Sequence, residues 1–414
     1  LVVRGFHILI LLAAAVGVLY FFKAYQRLNK PKKDYYLLPY NLFKEGFLNI
    51  IRTRGAMLFM LILFSIYILS VLFSEDKENS VSKIVLKSCY LYFPLIFALT
   101  KWDKEKFIRV IDFFIYGCCL QVLFSFFDAF WASGFQFNFS EFTYINLSYN
   151  LHPSYAALMI NIGFIFTSVR LLFNYKETKK ISSNLWRIVA LIGFCIYIVL
   201  LASKAGVVSF FITAFVLTIY SLVVLKSWRN TLFIGLTSAA LFYVVFTFFG
   251  GSASKRYASM VNSVENREQL TESKSKRLNS SQIRMVLWKN SWEAIEKSNF
   301  LGYGIGDGQS ALQENLKMNQ ENFVFNLNHN AHNQYLETML SVGLVGVILL
   351  LLILFFSAFG YGNFTIISML LVFIVSLNLG VESMMERQTG SVPIVWLLCL
   401  LTSSKAISRS VFKI

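Results

Sequence analysis

Apolar runs of roughly 16 to 25 residues recur from one end of this 414-residue chain to the other, and no other feature constrains its fold so tightly. At a rise of 1.5 Å per residue, runs of that length cross or nearly cross a hydrocarbon layer of about 30 Å. Charged residues make up 14% of the chain, against about 25% in soluble domains. The 42 Phe and 5 Pro suit helices packed in lipid. The sequence therefore predicts an all-α polytopic membrane protein.

Eleven spans are expected, at about 6–22, 55–73, 83–100, 107–131, 150–173, 187–202, 205–225, 231–249, 333–358, 363–380 and 391–408. The stretch 187–225 is almost continuously apolar, yet a single helix of that length would reach about twice the membrane thickness. The chain must turn inside it. Ser203-Lys204-Ala205-Gly206 is the polar, Gly-containing break where it can do so.

Basic residues set the expected orientation. The segment 23–54 carries Lys23, Arg27, Lys30, Lys32, Lys33, Lys44, Arg52 and Arg54 and reads as cytoplasmic; Ser74–Glu78 carries net negative charge and reads as external. Alternation follows along the chain. Segments 101–109, 170–187, 226–229 and 359–362 and the tail with Lys405, Arg409 and Lys413 fall inside; 132–149, the Lys204 turn, 250–332 and 381–390 fall outside. This pattern places Leu1 outside and implies one further helix before it, twelve in all. The formal charge of +16 thus marks membrane topology, not nucleic-acid binding. All five cysteines (Cys89, Cys118, Cys119, Cys195, Cys399) lie inside apolar runs and read as unpaired thiols. The organisation expected is one membrane-embedded domain: spans one to eight over 1–249, an external loop over 250–332, and spans nine to eleven over 333–414.

Polar residues that invite chemistry gather at the external face. Within the long loop, Ser280 is placed to cap a helix running to about Lys297. Ile283, Met285, Leu287, Trp288, Trp292, Ala294 and Ile295 share one arc of it, while Lys289, Glu293, Glu296 and Lys297 share the other, with Val286 the apolar exception. Such a helix lies on a membrane surface with its tryptophans at headgroup level. Arg284 falls inside the apolar arc, where a guanidinium must snorkel, pair with a carboxylate or meet an anion such as a diphosphate. Lys204, at the tight external turn, either anchors a helix end or serves a site.

Gly302, Gly304, Gly306 and Gly308 alternate through 299–308 without the ending of a phosphate-binding loop, and read as a tight turn that lets backbone approach something closely. His332 opens the ninth span, where the helix dipole disfavours the imidazolium and leaves the ring available as a base. His329 lies three residues earlier, but spacing supplies no third ligand for a metal. His152-Pro153 begins the fifth span, and Glu382-Ser383-Met384-Met385-Glu386-Arg387-Gln388 forms the last external loop. Each of these residues alone is compatible with a structural role; their clustering at one face favours a functional one.

The run His332-Asn333-Gln334-Tyr335-Leu336-Glu337, followed by Gly343-Leu344-Val345-Gly346, resembles the O-antigen ligase and O-antigen polymerase superfamily. The Gly-rich turn 299–306, Arg284 in its Trp-bearing helix and the Ser203-Lys204 turn extend the similarity over roughly 150–390. The resemblance implies a metal-independent, inverting glycosyltransferase without cofactor. It would move a glycan from undecaprenyl diphosphate to an acceptor hydroxyl, a lipid A-core sugar in ligases, at the periplasmic face of a bacterial inner membrane. Its partners would then be lipid-linked glycan, acceptor glycan and membrane lipids. Related polymerases and protein O-oligosaccharyltransferases share this chemistry with other acceptors. The family's usual residue at the turn is Arg, and Lys204 keeps the charge without the bidentate fork.

On this reading Lys204 and Arg284 stabilise charge on a leaving diphosphate. His332 deprotonates or orients the acceptor, and Arg387, His152, His329, Asn333 and Tyr335 contact donor or glycan. Asp307 is the one Asp of the 250–332 loop, and no Asp-x-Asp pair stands there for a divalent ion. A transporter of lipid-linked glycan would instead place polar groups near mid-depth, where these spans are nearly uncharged.

Overall fold

The computed structural model describes residues 55–100, 102–136, 138, 140–149, 151–178, 184–223, 278–359 and 365–403, with isolated positions at 50, 235 and 243. The expected span at 6–22, that at 231–249 apart from positions 235 and 243, and the first part of the long loop fall outside these residues. Among the described residues the protein is all-helical.

In chain order come α1 (Gly55–Ser70), α2 (Lys77–Lys87), α3 (Cys89–Leu99), α4 (Lys104–Ala132), the short α5 (Tyr144–Leu147), α6 (Pro153–Thr178), α7 (Leu185–Leu200) and α8 (Lys204–Val223). They are followed by α9 (Ser280–Lys297), α10 (Gly308–Met318), α11 (Asn322–Leu327), α12 (Gln334–Ala358), α13 (Thr365–Leu379) and α14 (Gln388–Ser403). Five segments are long and apolar enough to cross a membrane: Lys77–Leu99, Lys104–Ala132, Pro153–Leu171, Lys204–Val223 and Gln334–Ala358. Four shorter apolar helices stand at Gly55–Ser70, Leu185–Leu200, Ile366–Leu379 and Gln388–Ser403.

Local sequence explains the helix starts. Pro153 begins α6, where its fixed φ suits the first turn and its missing N–H costs nothing. The Asp76 carboxylate accepts from the Asn79 amide at the start of α2, and Asp103 accepts from Lys106 at the start of α4. The predicted break at 203–206 is a turn through Leu201, Ala202 and Ser203, with Ala202 at φ 45°, and Lys204 is the first residue of α8. Helix α9 is capped one residue earlier than expected: Asn279, not Ser280, is the cap, and its side chain and that of Gln282 form a reciprocal capping box.

Helix α6 is the core element, packed by α4, α7, α8 and α13; α12 packs against α1, α9, α13 and α14. The apolar core runs through both sets, from Ile115 and Cys118 to Leu398 and Leu401. A smaller core (Leu287, Ala294, Ile295, Leu312, Leu316, Val324, Leu340) fastens α9, α10 and α11 onto the first turns of α12. The amphipathic arc of α9 is therefore partly spent on protein: Leu287 and Ile295 are fully buried, while Trp292 stays exposed.

The alternating glycines make their close approach to the protein's own backbone. Helix α12 is kinked at Val342 and Gly343, the latter at φ 69°, and a kink releases ladder groups that need other partners. The Gly-rich turn supplies them. The Tyr303 and Gly304 amides donate to the Leu340 and Ser341 carbonyls (2.8 and 3.0 Å), and the Leu344 amide donates to the Phe300 carbonyl (2.9 Å). A Cβ on Gly302 would lie 2.6 Å from the Gly343 nitrogen. On its other side the Asp307 carboxylate accepts from the Glu75 and Asp76 amides (2.6 and 3.0 Å), tying the turn to the start of α2.

Candidate active site

The N-terminal ends of α6, α8, α9, α12 and α14 meet in one region, joined by a traceable chain of hydrogen bonds. Lys204 donates to the Ser281 hydroxyl in the first turn of α9 (3.0 Å). The hydroxyl of Ser203, just before Lys204, meets that of Ser154 in α6 (3.4 Å). The hydroxyl of its neighbour Tyr155 donates to the Ser383 carbonyl (3.4 Å), and the Ser383 hydroxyl accepts from the Asn333 amide at the start of α12 (3.1 Å).

Glu382 stands at the centre. Its Oε1 lies 2.8 Å from His332 Nδ1, and its Oε2 accepts from Arg284 Nη2 at 3.2 Å. One carboxylate thus brings together a histidine and an arginine 48 residues apart in sequence. Its side chain is 7% exposed, those of Arg284 and His332 about a fifth. Burial alone would raise the Glu382 carboxyl, but the His332 hydrogen bond and the charges of His332 and Arg284 outweigh it and hold it below the ordinary value. The apolar arc of α9 therefore carries Arg284 to a carboxylate.

His332 is itself constrained. Its φ is 45°, a left-handed conformation that a non-glycine residue adopts only when its surroundings hold it there. The Asn330 side chain accepts from the His332 amide (3.1 Å), and the indole of Trp288 donates to its carbonyl (3.4 Å). In the neutral ring, the Glu382 carboxylate selects the tautomer that donates from Nδ1 and leaves the lone pair on Nε2. The ring can then act as a base through Nε2.

The remaining predicted site residues divide. His329 sets its ring edge-on to His332, centroids 5.1 Å apart, and burial with the nearby His332 charge lowers its pKa. His152 stacks edge-on to Tyr155; burial first, then the charges of His332, Arg284 and Arg387 against the pull of Glu382, lower its pKa. Arg387 is exposed just ahead of α14, and its carbonyl accepts from the Gly390 and Ser391 amides. Asn333 spends its side chain as the cap of α12, accepting from Tyr335 and Leu336. The Tyr335 hydroxyl turns away, bonding Ser376 of α13 (2.6 Å). These two are held by the scaffold, whereas His329, His152 and Arg387 surround the Glu382 group.

In the sequence, Glu382, Ser383 and Glu386 stand out only as residues of the last external loop, and no motif marks Ser281 or Lys87. The usable signal was charge balance: an arginine inside an apolar arc requires a counter-ion, and the last external loop holds two carboxylates.

Residues 188–351 match the family model described as O-antigen ligase. The matched segment contains Lys204, Arg284 and His332, while Glu382 and Arg387 lie beyond it. No curated protein matches the chain. The match over residues 188–351 supports membership of the O-antigen ligase superfamily for this membrane protein.

Proposed function

We propose that the protein is a glycosyltransferase that takes a glycan from undecaprenyl diphosphate and joins it to a hydroxyl of lipid A-core, with inversion, at the periplasmic face of a bacterial inner membrane. The observation that carries this reading is the Glu382 carboxylate shared by His332 and Arg284, with Lys204 bonded one helical turn away at Ser281. In this reading eleven spans put that group at the outer boundary of the bilayer, where a lipid diphosphate would lie.

Glu382 orients the His332 ring, and Nε2 takes the proton of the acceptor hydroxyl as its oxygen attacks the anomeric carbon. The bond from that carbon to the diphosphate oxygen breaks, and negative charge grows on the leaving group. Arg284 has five N–H donors and uses one on Glu382, so others remain for phosphate oxygens. Lys204 adds a second positive charge, and the converging helix N-termini favour the same anion. A diphosphate is already a good leaving group, so charge stabilisation by side chains answers its need without a general acid.

The test uses purified protein, undecaprenyl-diphosphate glycan and lipid A-core, with EDTA present. Product is expected in EDTA, and His332→Ala, Arg284→Ala and Lys204→Ala are each expected to lose nearly all of it. Transfer only after added metal, or full activity in the His332 variant, would refute the mechanism. Extension of the glycan on its own carrier, without lipid A-core, would make the acceptor glycan and the protein a polymerase.

A further inference from the structure

Two ionisable groups that the proposed reaction does not use lie behind the site, one buried and the other largely so. Lys87, at the last turn of α2, is 1% exposed. Its ammonium donates to a Glu386 carboxylate oxygen (2.5 Å) and to the Met385 carbonyl (2.9 Å), and it faces the Tyr67 ring 5.5 Å from the centroid. Gln334, the first residue of α12, reads the same loop with both ends of its amide: Nε2 donates to Glu386 (3.0 Å), and Oε1 accepts from the Met385 amide (2.7 Å). The Tyr90 hydroxyl meets Met385 Sδ (3.2 Å). Burial would raise the Glu386 carboxyl, but the charges of Lys87 and Lys83 outweigh it and hold it well below the ordinary value.

Burying two charges costs desolvation that an ion pair often fails to recover, so apolar residues of similar shape would serve stability as well or better. Stability alone is a poor reason for Lys87 and Glu386 to be here. Their positions suggest another. The loop 382–386 is short, and its first residue is the carboxylate that holds His332 and Arg284. Its last is clamped to Lys87. Gln334, bonded to the clamped end, lies two residues after His332. Both ends of the Glu382–His332 contact therefore descend from one buried ion pair.

We infer that Lys87 and Glu386 are positioning residues that set the loop 382–386 against the start of α12, so that the Glu382 carboxylate meets His332. The inference rests on the reaction proposed above for its catalytic consequence, but not for its structural one.

The full-length protein in lipid nanodiscs tests it with Lys87→Met, Glu386→Gln and the two combined. Each single change strands one buried charge or its partner, and its melting temperature should fall. The double variant removes both charges of the pair and keeps an acceptor for Gln334, so most of the melting temperature should return. Amide exchange, followed by mass spectrometry, should nevertheless be faster in peptides covering 329–338 and 380–390, with peptides from α4 and α6 unchanged. Transfer should stay depressed in the double variant, chiefly through kcat, and adding Glu382→Gln should cost little more, because both changes act through one contact. Wild-type exchange in those peptides would overturn the inference, as would faster exchange with transfer at the wild-type rate. If Lys87→Met fails to fold, Glu386→Gln alone carries the same readouts. Should the wild type transfer no glycan, the proposed function fails, and exchange alone decides the clamp.

Discussion

At the residue scale the decisive group is Glu382, because it does two things with one carboxylate. It fixes the tautomer and orientation of His332, and it neutralises a partly buried Arg284. Glu382→Gln is isosteric but uncharged, so transfer should fall on the order of 10²-fold, checked by initial rates. The same change has a pH signature. The folded-state carboxyl lies below its ordinary value of 4.5, so the charged form stabilises the fold. That stabilisation is complete above the unfolded value and is lost as pH falls through the folded one. Melting curves should show Glu382→Gln below the wild type at pH 7, with the gap closing as the buffer is taken under pH ~4. A gap that widened in acid would contradict the assignment. The two cations should also differ. Arg284→Lys cannot serve Glu382 and a diphosphate together, so the donor KM should rise. Lys204→Arg keeps its charge and gains a fork, and steady-state kinetics should show donor KM unchanged or lower.

At the scale of elements, the sequence disclosed periodicities and breaks but not what meets across them. The Lys204 turn was readable because the nearly continuous apolar stretch from 187 to 225, 39 residues long, cannot run straight through a bilayer. The arc of α9 was readable at 100° per residue, yet the fate of Arg284 was not, because its partner lies 98 residues away. The alternating glycines were recognised as a close-approach turn; that they repair the ladder of α12 required the kink at Val342–Gly343, which an apolar run does not betray. This pairing yields a sharp contrast. Gly343 sits at φ 69°, and a Cβ there would collide with the Phe300 carbonyl. Gly343→Ala should destabilise the protein by about 1–3 kcal/mol, read from denaturant titration of the purified protein. Gly193, inside α7, has nothing within 4 Å of an added Cβ, and Gly193→Ala should be neutral or stabilising by up to about 1 kcal/mol.

On the scale of the whole molecule, function depends on which ends of the helices share a side. His152, Lys204, Ser281, His332 and Glu382 come from segments spread over more than half the chain, and hydrogen bonds join their neighbourhoods at one end of the bundle. The opposite end holds other charges: Arg170 grips the Asp112 carboxylate with two nitrogens (2.9 and 3.1 Å), and Lys106 pairs with Asp103 near the start of α4. The loop charges already sorted these two sets in the sequence, because basic residues favour the cytoplasmic face, the short loops on the site's side are poor in them, and a loop as long as 250–332 translocates regardless of its charge. What they could not supply was the convergence, since nothing in a charge count brings 204, 284, 332 and 382 to one point. Exposed positions can test the sidedness directly. In a chain with its five cysteines replaced by serine, Glu314→Cys lies on exposed α10 surface near the site, and Glu105→Cys lies on the exposed first turn of α4. A membrane-impermeant maleimide applied to spheroplasts should label position 314 at once and position 105 only after permeabilisation. Labelling of 105 from outside with 314 protected would invert the orientation and remove the site from the face where the lipid-linked donor is proposed to arrive.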